Sequence, residues 1–165
     1  MSFDPTEIVR VLDAHAVRYV MIGGLAATLH GAEYVTGDLD IAHEATIENL
    51  DRLSDALDEL GARVRTAGAP GGLPFAHDAR SLRRANVWNL VTRAGDLDIA
   101  FEPSGTGGYA DLRRDALRIT IHGVVVTVAS LADVIRSKEA AGRDKDRAAV
   151  PMLRRLLEEQ ADEHD

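Results

Sequence analysis

The chain has 165 residues, 27 of them acidic and 19 basic, a net charge of −8 and no cysteine. That length suits one domain with its own hydrophobic core, and the missing cysteines exclude disulfides and thiolate metal centres. Met1 to Arg10 have neither the basic start nor the apolar run of a signal peptide, and the longest apolar stretches, such as Val124 to Val128, fall far short of the ~20 residues of a membrane helix. A cytoplasmic protein without membrane contact is expected. Five of the acids fall within Glu158 to Asp165 with no base among them. Residues 1–157 are therefore expected to form the domain, and 158–165 a flexible acidic tail.

In chain order, Pro5 to His15 has helical apolar spacing at Ile8, Val11 and Leu12, with Asp4 as the cap before a first-turn proline. Arg18 to Ile22 reads as a short strand that stops at Gly23-Gly24, and Leu25 to His30 as a short helix ended by Gly31. Thr46 caps a long helix to Leu60, with Ile47, Leu50, Leu53, Leu57 and Leu60 on one face. Ala62 to Thr66 is a strand. The segment Ala67 to Asp78, with three glycines and two prolines, reads as a mobile loop. Asn86 to Val91 and Asp96 to Phe101 form a hairpin, as do Leu117 to Ile121 and Val124 to Val128 about His122-Gly123. Leu131 to Ala141 is a helix stopped by Gly142. A last helix opens at Arg143 to Asp146 and runs to about Glu159, with Pro151 expected to kink or restart it. The pattern implies an α/β (α+β) domain, a mixed sheet with helices packed against it.

The hexapeptide Gly-Asp-Leu-Asp-Ile-Ala occurs twice, at 37–42 and 95–100. Side chains alternate along a strand, so Asp38 and Asp40 share one face and Leu39 and Ile41 the other, and Asp96 and Asp98 repeat this against Leu97 and Ile99. If the two strands pair, up to four carboxylates crowd together, each close pair repelling by roughly 3 kcal/mol at an effective dielectric near 20. A cation must then sit between them, and a carboxylate set suits a hard divalent ion, Mg²⁺ or Mn²⁺. Among these acids, Asp96 directly follows Gly95 and also fits a turn residue.

Gly23-Gly24 entering a helix, Asp38-Leu39-Asp40 about a dozen residues later and Asp98 on a second strand together resemble the polymerase-β-like nucleotidyltransferase superfamily. Gly23 to Ala26, Leu29 to Gly31, Thr36 to Asp40 and Lys138 to Asp146 are similar to the minimal nucleotidyltransferase and AbiEii/MenT-like toxin group within it. The resemblance covers about Tyr19 to Leu157. Two positions depart from the pattern: Tyr34 stands where many relatives have arginine, and no serine follows the first glycine. The resemblance implies that Asp38, Asp40, Asp98 and Lys138 are catalytic, that the three aspartates hold the metal, and that Gly23, Gly24 and Lys138 bind the nucleotide. A nucleoside monophosphate would pass from an NTP to an acceptor hydroxyl. It further implies a toxin of a toxin–antitoxin pair, with a cognate antitoxin as partner and tRNA as acceptor. The physical chemistry agrees with that assignment: glycines let a phosphate approach the backbone at a helix start, and paired carboxylates can bridge metals in an in-line displacement.

Arginines at 80, 83 and 84 and at 113, 114 and 118 are candidates to grip the phosphates of an acceptor RNA. Blander readings compete. Gly23-Gly24 also fits a plain tight turn, Asp-x-Asp the solvent face of an edge strand, and Lys138 and Arg143 solvated charges at a helix end. Asp144 or Asp146 also fits a helix-start residue, and His30 a packed or capping histidine. No His-Glu-x-x-His or phosphate-binding Gly-x-x-x-x-Gly-Lys-Ser/Thr loop occurs, so neither zinc nor a P-loop NTPase is expected. The alternatives for the whole chain are a catalytically silent binding module, an enzyme acting on a protein or an antibiotic, and a calcium-stabilised structural domain.

Overall fold

Two copies of one hexapeptide lie side by side at the centre of the sheet. In the computed structural model, which describes residues 2–33 and 35–163, the strands are β1 (Tyr19–Ile22), β2 (Asp38–His43), β3 (Arg63–Thr66), β4 (Ala69–Leu73), β5 (Val87–Thr92), β6 (Gly95–Ala100), β7 (Leu117–Ile121) and β8 (Val124–Val128). They form a mixed sheet in the order β4-β3-β5-β6-β2-β1-β8-β7, parallel at β2/β6 and β1/β8 and antiparallel elsewhere. The β2/β6 register matches Asp38 to Asp96, Leu39 to Leu97, Asp40 to Asp98 and Ile41 to Ile99. All four aspartates therefore share one face. Leu39, Ile41, Leu97 and Ile99 on the other are at most 1% exposed, each contributing about 1.5–3 kcal/mol by burial.

That apolar face joins the core built by α1 (Pro5–Ala14) and α3 (Ile47–Glu59), through Ile8, Leu12, Leu50, Leu53 and Leu57. Asp4 caps α1 by accepting from the Glu7 amide at 3.2 Å, and Thr46 caps α3 by accepting from the Asn49 amide at 3.2 Å, each satisfying an orphan donor of the first turn. On the acidic side, α2 (Gly23–Leu29) packs against β2 and α6 (Leu131–Ala141), and α6 packs against α7 (Asp144–Glu163). Gly142, at φ +62°, ends α6 in the left-handed conformation expected of its stop.

Several expectations need correction. Ala67 to Asp78 is no continuous loop, because β4 pairs with β3 inside it. Its glycines and Pro70 hid an edge strand, where a missing amide donor is tolerated. Gly72 is required there: at φ +77°, a Cβ would come within 2.8 Å of Arg63 Cβ. The helix placed at Leu25 starts instead at Gly23, so both glycines belong to its first turn. The last helix continues through Pro151 to Glu163 as one element. Two short helices, α4 (Ala79–Leu82) and α5 (Tyr109–Leu112), went unforeseen because four residues give no period to read. Tyr34 lies outside the described residues. No helix among the described residues is long and apolar enough to cross a membrane.

Candidate active site

The site begins where β1 ends. Pairing of β1 with β2 sets Ile22 opposite Asp40, and the next residue, Gly23, turns at φ +81° into α2. A Cβ on Gly23 would lie 2.3 Å from Asp40 Oδ2. Glycine is thus dictated here twice, by its backbone conformation and by the carboxylate lying against it.

The register of β2 and β6 then gathers the acids. One carboxylate oxygen each from Asp38, Asp40 and Asp98 lies within 4.8 Å of the others. Burial, followed by the charges of Asp38 and Asp98, pushes Asp40 up to about 8, against the opposing charge of Lys138. Burial and a hydrogen bond with Asp38 push Asp98 up to about 6, with Arg65 pulling the other way. Carboxylates that resist ionisation through burial and mutual repulsion are a set short of positive charge, and an all-oxygen donor set fits a hard divalent cation. Thr36 Oγ1 steadies Asp38, 3.2 Å from its Oδ1 and from its carbonyl oxygen.

Asp96 stays outside the group. Its Oδ2 is 3.1 Å from Arg65 Nη1, while Nη2 of the same guanidinium is 2.8 Å from Asp98 Oδ1. Sequence reasoning missed Arg65. Its strand was foreseen, but nothing local says that β3 lies one strand away from β6, across β5.

Cations enter from the helical side. Lys138 on α6 lies 3.6 Å from Asp146 Oδ1, and Arg143 Nε donates to Asp146 Oδ2 at 2.7 Å. Burial works against ionisation of Asp146, but the hydrogen bond and charge of Arg143, with the charge of Lys138, outweigh it and hold the carboxyl below its ordinary value. Asp146 therefore does more than favour a helix start: a fully buried acid anchors two cations beside the carboxylate group. Gly23, Gly24, Asp38, Asp40, Asp98 and Lys138 all line one cleft of about 1020 Å³ between sheet and helices. Among the described residues, Lys138, Arg143 and Lys145 are its basic lining, and neither arginine group (80, 83, 84 or 113, 114, 118) reaches it. Arg83 instead donates to the Ala45 carbonyl, and Arg113 lies over the Tyr109 ring. His30 packs by a 2.7 Å hydrogen bond to the Ala129 carbonyl, the bland role expected of it.

No protein-family profile matches the chain, and no curated protein matches it. Solved structures do. The lincosamide antibiotic adenylyltransferase LnuA, in its lincomycin-bound form, is 15% identical with a TM-score of 0.60, over 94% of this chain and 99% of that one. TM1012 of Thermotoga maritima, a candidate nucleotidyltransferase, is 18% identical with a TM-score of 0.55, over 94% and 91%. The chain has the nucleotidyltransferase fold.

Proposed function

We propose that this protein is a metal-dependent nucleotidyltransferase that moves a nucleoside monophosphate from an NTP to an acceptor hydroxyl. The observation that carries the reading is the convergence of Asp38, Asp40 and Asp98 on one cleft with Gly23, Gly24 and Lys138. Asp38, Asp40 and Asp98 would hold Mg²⁺ or Mn²⁺, which would supply charge neutralisation at the transferring phosphate. Gly23 and Gly24 line the cleft at the start of α2, where backbone amides would meet the triphosphate tail, and Lys138 would meet it as a point charge. The acceptor oxygen bonds to the α-phosphorus as the α–β bridging oxygen departs with pyrophosphate. The hydroxyl proton passes to one of the carboxylates gathered in the cleft.

Two acceptors fit this chemistry. A tRNA acceptor, with the chain acting as a toxin held by an antitoxin, is supported by the motif resemblance. A hydroxylated small molecule is supported by the fold shared with lincomycin-bound LnuA, and the cleft is not lined by either arginine group. Incubation with Mg²⁺ or Mn²⁺, each α-labelled NTP and, separately, bulk tRNA and a panel of hydroxylated antibiotics tests both. Label entering one pool and lost in Asp40→Ala supports the enzyme and names the acceptor class. A protein that labels nothing in tRNA, antibiotics or a whole-cell lysate, with Asp40→Ala indistinguishable, is a silent binding module.

A further inference from the structure

Resting on the metal site above, we propose that Arg65 is a positioning residue for it: from β3, Arg65 takes Asp96 and one oxygen of Asp98 in a single fork, so that three of the four paired-strand aspartates face the cation. The parallel register places four carboxylates on neighbouring strands, and one divalent ion offsets only half of that charge. Arg65 provides a further positive charge within reach. Its Nη1 lies 3.1 Å from Asp96 Oδ2 and its Nη2 2.8 Å from Asp98 Oδ1. Nη1 is also 3.5 Å from the Leu90 carbonyl, so the side chain spans the intervening strand β5.

The guanidinium is planar and its donors are fixed relative to one another. Two carboxylates two residues apart on one strand face are therefore held in a set relation, which a lysine could not impose. Asp96 also lines the cleft, but with 39% of its side chain exposed and Arg65 on its Oδ2 it stays out of the three-carboxylate group. Asp98, at 14%, stays in the cleft beside Asp38 and Asp40. With Oδ1 engaged by Arg65, Asp98 is held in one orientation beside Asp38 and Asp40. This explains why two identical Asp-x-Asp strands are not equivalent: Thr36 steadies the first and Arg65 the second.

The test is Mn²⁺ binding by calorimetry on the wild-type chain and on Arg65→Gln, Arg65→Lys, Asp96→Asn, Asp98→Asn and Asp40→Asn, with circular dichroism confirming that each is folded at the assay temperature. Arg65→Gln is expected to weaken Mn²⁺ by about 10–100-fold, the usual effect of removing a hydrogen-bond partner of a metal ligand. Arg65→Lys, with charge but no fork, should fall between it and wild type. Asp96→Asn should change affinity by less than about threefold, and Asp98→Asn by at least as much as Arg65→Gln. Unchanged or tighter Mn²⁺ binding in Arg65→Gln overturns the proposal, because the arginine would then be a bystander or a competitor of the ion. Should Arg65→Gln not fold, wild-type affinity in Arg65→Lys overturns it equally. If wild-type protein binds no Mn²⁺ that Asp40→Asn removes, the metal reading itself fails, a result distinct from failure at Arg65 alone.

Discussion

Gly23→Ala strikes the site through the backbone. At φ +81° an alanine takes a left-handed conformation that costs about 1–2 kcal/mol. Its Cβ would stand 2.3 Å from Asp40 Oδ2, 2.9 Å from Cγ and 3.0 Å from Cβ, and the carboxylate must retreat by about 1 Å to recover ordinary contact. A metal ligand tolerates about ±0.2 Å, so at the proposed metal site the retreat would remove Asp40 from the ion. Two assays on Gly23→Ala, Asp40→Ala and the double variant separate these effects: thermal unfolding of chelator-treated protein and Mn²⁺ calorimetry. Gly23→Ala should lose about 1–3 kcal/mol, a fall of roughly 2–4 °C in Tm for each kcal/mol. In the Asp40→Ala background the loss should shrink to the backbone share, about 1–2 kcal/mol. Mn²⁺ affinity of the single variant should drop about tenfold or more. A Gly23→Ala protein with wild-type Tm and wild-type Mn²⁺ affinity would refute both the geometry and its link to the ion.

The raised values of Asp40 and Asp98, about 8 and about 6, mean that the folded metal-free chain keeps protons the unfolded chain releases near pH 4. Their share of the stability should therefore fall as pH rises from about 4 through 8, against a smaller opposing gain below about pH 6.5 from buried His43, held down to about 4, and Mn²⁺ should reverse the fall. Asp40→Asn should stabilise chelated protein at pH 8 by about 0.5–2 kcal/mol, and a Tm independent of pH over that range would contradict the burial and repulsion invoked. Lys138→Met should raise the KM for NTP by about tenfold, the worth of one charge-assisted contact, with a smaller change in kcat; an unchanged KM would remove Lys138 from the nucleotide site. On the core side, buried Asn49 accepts from the Arg18 amide at 2.7 Å and donates to the Arg18 and Glu44 carbonyls at 3.0 and 2.8 Å. Asn49→Ala should cost about 2–4 kcal/mol by orphaning these groups, read in denaturant unfolding without change in labelling specificity.

Local rules were enough for much of this chain. The caps Asp4 and Thr46, the Gly142 stop and the hairpin turn at His122-Gly123, where both residues take positive φ, each follow from the conformational limits of a few neighbouring residues. Period-two alternation likewise put the aspartates of each hexapeptide opposite its leucine and isoleucine, because that depends only on the strand's own pleat. What the tertiary structure alone decided is who meets whom across the sheet. The parallel zero-shift register of β2 and β6 and the arrival of Arg65 from β3 at Asp96 and Asp98 depend on strand order, which no window of sequence encodes. Asp146 is the same case on the helical side: read locally it is a helix-start acid, and only the packing of α6 on α7 buries it between Lys138 and Arg143. Charge balance among carboxylates is a property of three-dimensional distance: the motif resemblance could name Asp38, Asp40 and Asp98, but only the fold brings their oxygens within 4.8 Å of one another.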